Sequence, residues 1–219
     1  VQAWEERIGN ITWKKVWRLR SFFTTPRDQV TWLKLIHRNL YVASRDPALG
    51  NQECNARGCH AKETMLHLAE CAHITQHYWK KAESLLDKLG IPRGNGRTFW
   101  ITGKIDRKKY ADVEAAGIIF LAWRCLYAEV TYARIHDKEL RLEHTYARLV
   151  LMIISRLKAN GLKWYHWYSR TRGISTKKVK PFPKRYRKRK LLTTERDAQY
   201  RINPTLLREY EAIKQNRQS

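Results

Sequence analysis

Acidic residues are scarce in this chain: 20 Asp and Glu stand against 44 Lys and Arg, giving a formal net charge of +24 over 219 residues. The imbalance implies a field that attracts polyanions, of which nucleic acid is the commonest and an anionic membrane surface the rival. Long apolar runs are missing as well. The best stretch, 118–130, contains Arg124 and Glu129 and falls short of the ~18 apolar residues that a spanning helix needs, which excludes a transmembrane segment. Cysteine is limited to four residues and no secretory signal is visible, which argues against a disulfide framework. Paired carboxylates for acid–base catalysis are lacking too. Glu114, Glu129, Glu139 and Glu143 are scattered over helical salt-bridge positions and read as surface charges. The chain also lacks an initial methionine: a start at Val1 is expected of a processed terminus, as after loss of an organellar transit peptide, or of a fragment.

What is present is concentrated. Three of the four cysteines fall within residues 54–71, in Cys54-Asn-Ala-Arg-Gly-Cys59-His-Ala-Lys-Glu63-Thr-Met-Leu-His67-Leu-Ala-Glu-Cys71. Three cysteines leave one unpaired in any disulfide scheme, and Cys125 stands far away on an apolar helix. A structural zinc ion takes four sulfur or nitrogen ligands in a tetrahedron. Cys54 and Cys59 flank a short loop in which Gly58 can take the positive φ needed to fold back over a metal. His67 and Cys71 stand at i and i+4, which on a helix share one face. The bland reading, in which cysteines and a histidine beside leucines pack as core, is outweighed by their clustering. One structural zinc held by Cys54, Cys59, His67 and Cys71 is therefore expected. His60, His73 and His77 are rival ligands, and His60 would replace His67 if the loop folded differently.

The run Trp13-Lys-Lys-Val16-Trp17, then Trp32-Leu-Lys-Leu35, then Cys54, Cys59, Glu63-Thr64, His67-Leu68 and Cys71, and finally Trp79, resembles the zinc-binding region that follows the reverse transcriptase of LINE-type retrotransposons. The Glu-Thr-x-x-His-Leu core is the most specific part, and the likeness covers about residues 11–80. It implies a helical segment that helps to hold RNA or target DNA, and the same four ligands. No Tyr-x-Asp-Asp or endonuclease carboxylate–lysine cluster accompanies it, so polymerisation is not implied.

Periodicity predicts a mainly α fold: a zinc-stapled helical domain over 1–91, a linker over 92–105, a helical hairpin with an aromatic end over 106–169 and a basic extended tail over 170–219 with a weak terminal helix. Gly9-Asn10 stops a short first helix. Trp13, Val16, Trp17 and Arg20 form a stripe in the next, whose tryptophans are expected in the core, with base stacking as the alternative. Thr25-Pro26-Arg27-Asp28 is a capping box opening a helix whose buried face would be Val30, Leu33, Ile36 and Leu40. One helix, or two joined near Thr75, should cover 64–88. Residues 91–102 read as loop, with a weak phosphate-loop signal at Gly94-Asn-Gly96-Arg97. Two long antiparallel helices over 106–136 and 138–158 should end at Asn160-Gly161.

Trp164, Tyr165, His166, Trp167 and Tyr168 interleave aromatic rings with basic groups; packing at the hairpin's end is the plainer reading, base stacking the sharper one. Arg170, Arg172, Lys177, Lys178, Lys180, Lys184, Arg185, Arg187, Lys188, Arg189 and Lys190 form a run without any Asp or Glu, suited to gripping phosphates. Thr193 or Thr194 is a candidate cap for a further helix, and Asn203-Pro204 opens a last one to Gln215. The function expected from this assembly is non-catalytic: an RNA-binding structural component of a large ribonucleoprotein such as a mitochondrial ribosome, touching rRNA and neighbouring proteins in the matrix and taking no small-molecule substrate. The alternative is a nucleic-acid-binding fragment of a LINE-type reverse transcriptase, acting in the nucleus. No catalytic constellation supports an enzyme such as a nuclease.

Overall fold

The computed structural model describes residues 2–49, 51–106, 108–172, 191–194 and 200–215. The chain is mainly helical. In order come α1 (Gln2–Ile8), α2 (Trp13–Val16), α3 (Pro26–Ile36), a 3-10 turn (Ala43–Arg45), α4 (His67–Glu70), α5 (Ala72–Ile74), a π-helical stretch (Thr75–Trp79), α6 (Lys80–Lys88), α7 (Gly96–Thr102), α8 (Val113–Ile135) and α9 (Leu142–Arg172). A short antiparallel ribbon of β1 (Leu192–Thr194) and β2 (Tyr200–Ile202) precedes α10 (Pro204–Gln215).

The apolar breadth of α8 makes it the spine. Ile118, Ile119, Phe120, Leu121, Trp123 and Leu126 are all buried, so the helix needs partners on several sides, and α3 and α9 supply them. Gly117 permits a close approach on α8, since a Cβ there would lie 2.4 Å from the Phe23 ring and from the Ser21 hydroxyl. Four tryptophans anchor the layers, each burying its ring while its Nε1–H reaches a carbonyl: Trp4 to Ile36, Trp32 to Ile101, Trp79 to Leu68 and Trp123 to Trp100, at 2.8–3.0 Å. Trp79 also meets Trp100 and Trp123 at centroid distances of 4.7 and 5.0 Å, which ties the π-helical stretch to α7 and α8.

Among the described residues, the buried carboxylates are each held by a partner. Asp28 is 0% exposed, closes the capping box with Thr25, and pairs with Arg124 of α8 and Arg156 of α9, so one carboxylate joins three helices. Glu129 of α8 accepts from the Arg141 backbone and guanidinium across the α8–α9 connection. Glu114 accepts the Leu191 N–H at 3.1 Å.

Several expectations need correction. Glu114 and Glu129 are buried rather than surface charges. Trp17 is exposed, because α2 ends after a single turn and never presents a long stripe. On α3 the inward residues are Trp32, Leu35 and Ile36, while Val30 and Leu33 face outward. The stretch read as a linker contains α7, with Phe99, Trp100 and Ile101 buried; flanking glycines and Pro92 masked a helix whose burial comes from tertiary packing. Gly94 is packed against the Lys104 carbonyl, a structural reason for that glycine in place of a phosphate loop. The α9 backbone runs through Asn160-Gly161 to Arg172. Thr193 and Thr194 lie on a strand, whereas Asn203 does open the last helix, its side chain accepting the Thr205 N–H. Beyond the basic run the chain returns to the body: Leu191 and Leu206 are buried, and Glu209 accepts from Tyr146 at 2.7 Å.

Candidate metal centre

Residues 52–63 form a tight hairpin, closed by Glu63 N–H to Gln52 O and Cys54 N–H to Ala61 O, both at 2.9 Å. At its tip the Cys59 N–H bonds to Ala56 O, and Gly58 takes φ +67°, the left-handed conformation that the reversal requires. Cys54 and Cys59 are thereby brought to the same side of the loop. His67 follows at the start of α4, where its N–H donates to the Thr64 hydroxyl at 3.0 Å.

Cys71 reaches the site by a different route from the one its spacing suggests. The helix stops at Glu70, and Cys71 sits at φ −48°, ψ 123°, an extended kink between α4 and α5. The chain then resumes helical structure, with Thr75 N–H bonding back to Cys71 O at 2.8 Å. This places the Cys71 sulfur over the amino end of the helical run 72–88, where it accepts the Ile74 N–H. Oriented N–H groups there favour a thiolate.

The four ligand atoms of Cys54, Cys59, His67 and Cys71 all lie within 4.8 Å of one another, a spread suited to a single metal ion. Nε2 is the inward nitrogen of His67, 3.3 Å from Cys59 Sγ. A hydrogen bond from Cys54 holds the Cys71 thiol down at about 5, against burial and with help from Ile74 N–H and His67; the same bond, reinforced by burial, pushes Cys54 up. A metal is held by thiolates, so its binding here would release the protons of these thiols. The other histidines do not compete: His60 is exposed beside Glu53 at 3.3 Å, and His73 and His77 pack on each other at 4.5 Å. Cys125 is a core residue whose thiol burial pushes up to about 12.

Each residue of the Glu-Thr-x-x-His-Leu core has a physical task. Glu63 is 1% exposed, accepts the Ala43 N–H at 2.8 Å and pairs with Arg134 of α8. Thr64 bonds the His67 backbone, His67 points Nε2 at the thiols, and Leu68 is buried with its carbonyl taken by Trp79. Sequence reasoning missed the roles of Arg134 and Thr64; the short offset of Thr64 before His67 was a signal for Thr64, whereas Arg134, 71 positions from Glu63, had none.

Of the proposed phosphate contacts, Arg170 and Arg172 end α9, and Lys177, Lys178, Lys180, Lys184, Arg185, Arg187, Lys188, Arg189 and Lys190 lie outside the described residues. So do the side chains of Trp164, Tyr165, His166, Trp167 and Tyr168. Among the described residues no helix is long and apolar enough to cross a membrane. Comparison with known proteins finds no matching family model, no matching curated protein and no matching solved structure.

Proposed function

We propose that the chain is a zinc-stapled, non-catalytic RNA-binding component of a large ribonucleoprotein. Three sulfurs and one imidazole nitrogen form a soft donor set suited to zinc, and four protein ligands leave no open position for a reactive water. Glu63, the nearest buried carboxylate in the motif, is held by Arg134 and Ala43 rather than poised as a base. The metal therefore staples the loop of 52–71 to the helical body.

The observation that carries the RNA reading is charge. The net +24 is concentrated by eleven basic residues between 170 and 190 with no acid among them. A polycation of this kind binds phosphates with release of counterions. A ribosome, with rRNA and protein neighbours in a mitochondrial matrix, is the assembly this best suits. The likeness of residues 11–80 to the LINE-type segment favours the second reading, a nucleic-acid-binding piece of a retrotransposon polymerase.

Binding of the full chain to RNA across a salt series tests the first reading. A steep fall of log K with log salt is expected; no binding at low salt overturns it.

A further inference from the structure

Trp17 is 42% exposed, an unusual setting for the ring of an otherwise buried residue type. It stacks on Trp13 at 5.7 Å and on His37 at 4.9 Å, each with an interplanar angle of 28°. The three rings form a stair in which Trp17 is shared by both stacks, and Trp17 and the terminal His37 ring are exposed while Trp13 is half-buried. Leu33, one turn before His37 on α3, is exposed beside it. This surface joins the end of α2 to the end of α3, and Trp13 is pinned by its indole N–H to Glu5 at 3.0 Å.

Charge identifies the occupant. Between 12 and 20 and between 33 and 39 every charged residue is basic and exposed: Lys14, Lys15, Arg18, Arg20, Lys34 and Arg38. Lys15 is turned towards Lys108 O and the Tyr110 ring, and the Glu5 carboxylate is taken up by the Trp13 indole, so the other five cations are those offered to a ligand. A strand of unpaired nucleotides presents both partners at once, bases for the rings and phosphates for the cations. Arg38 carries a second sign. It ends α3 at φ +57°, with its N–H bonded to Leu35 O and the Asn39 N–H bonded to Lys34 O. That left-handed position ordinarily holds glycine or asparagine, so an arginine there is strained, and strain of this kind collects at functional surfaces.

We infer that the Trp13–Trp17–His37 stair, edged by the basic residues of α2 and α3, stacks on unpaired RNA bases. The inference rests on the RNA reading above and gives it a recognition mode, discrimination of single strands from duplex. The experiment uses the full chain and a short labelled oligoadenylate, set against an RNA duplex of the same length, by fluorescence anisotropy at fixed salt. Trp17→Ala should weaken oligoadenylate binding about tenfold, with duplex affinity, salt slope and helicity unchanged. Trp17→Phe should recover most of the loss. Arg38→Gly should raise the melting temperature while weakening RNA binding.

The inference is overturned if Trp17→Ala changes neither RNA, or weakens both equally, while the wild type still binds; the charge-based reading then survives alone. If the wild type binds neither RNA, both fall together. A dimer in sedimentation that Trp17→Ala dissociates, with RNA affinity untouched, would assign the face to a second copy instead.

Discussion

Glu63 and Arg134 form a buried ion pair that fastens the loop carrying Cys54 and Cys59 to the last turn of α8. The two residues stand 71 positions apart, and both side chains are almost withdrawn from water. Breaking such a pair from one side leaves an uncompensated buried charge. Arg134→Met should therefore destabilise the chain by about 3–5 kcal/mol, and the double variant with Glu63→Gln should recover much of it. Urea denaturation of the two variants checks this. Competition with a chelator should also show faster metal loss from Arg134→Met, because the hairpin carrying Cys54 and Cys59 is no longer held to α8.

Asp28 gives a pH signature. Burial alone would raise its pKa, but the bonds from Thr25 and from Arg156 outweigh burial and leave it below the usual carboxylate value. A depressed pKa contributes stability that is complete above the unfolded value of about 4 and disappears as pH falls through the lower folded value. Asp28→Asn should cost roughly 2–4 kcal/mol at neutral pH. The gap between wild type and variant should stay flat down to about pH 5 and close below about pH 4. A gap that widens in acid would contradict the assignment.

Local chemistry was legible in the sequence where one segment settles it. Thr25, Pro26 and Asp28 announce a helix start by themselves, and the structure has that capping box. Cys54, Cys59, His67 and Cys71 announce a metal set by clustering alone, and the fold brings them together. What needed a distant partner stayed hidden. Glu129 reads as a surface acid until Arg141 folds over it, and Phe99–Ile101 read as loop until α8 arrives beneath them. The i, i+4 spacing of His67 and Cys71 picked two side chains that the fold does bring together, for a partly wrong reason. A kink at Cys71, invisible to periodicity, turns its sulfur to the site and onto the amino end of the next helix.

The basic run should carry most of the sequence-independent affinity. Each phosphate neutralised steepens the dependence of log K on log salt by about 0.7–0.9. Replacing Lys184, Arg185, Arg187, Lys188, Arg189 and Lys190 with glutamine removes six of the eleven cations between 170 and 190 and should flatten the slope as well as weaken binding. Equal slopes for both chains, by filter binding on one RNA, would place the phosphate contacts elsewhere.

Removal of the metal should separate the two halves of this chemistry. In a structural site metal-binding energy is folding energy. The hairpin over 52–63, α4 and the kink at Cys71 have few apolar side chains of their own, and they reach the body through Glu63, Leu68 and Trp79. Cys71→Ser removes one thiolate ligand while leaving an oxygen that can still accept the Ile74 N–H, so the staple should fail and the melting temperature drop by several degrees, as chelation of the wild type should also do. Elemental analysis should give one zinc per wild-type chain and a reduced content in the variant. Non-specific RNA binding should largely survive, because it depends on charge more than on a folded surface. Preference for single-stranded over duplex RNA should diminish if loosening the metal loop disturbs the α3 end through the Ala43–Glu63 bond. An unchanged melting temperature in Cys71→Ser would rule out the structural staple. Loss of even salt-sensitive binding, with the basic run intact, would show that phosphate contact depends on the folded body.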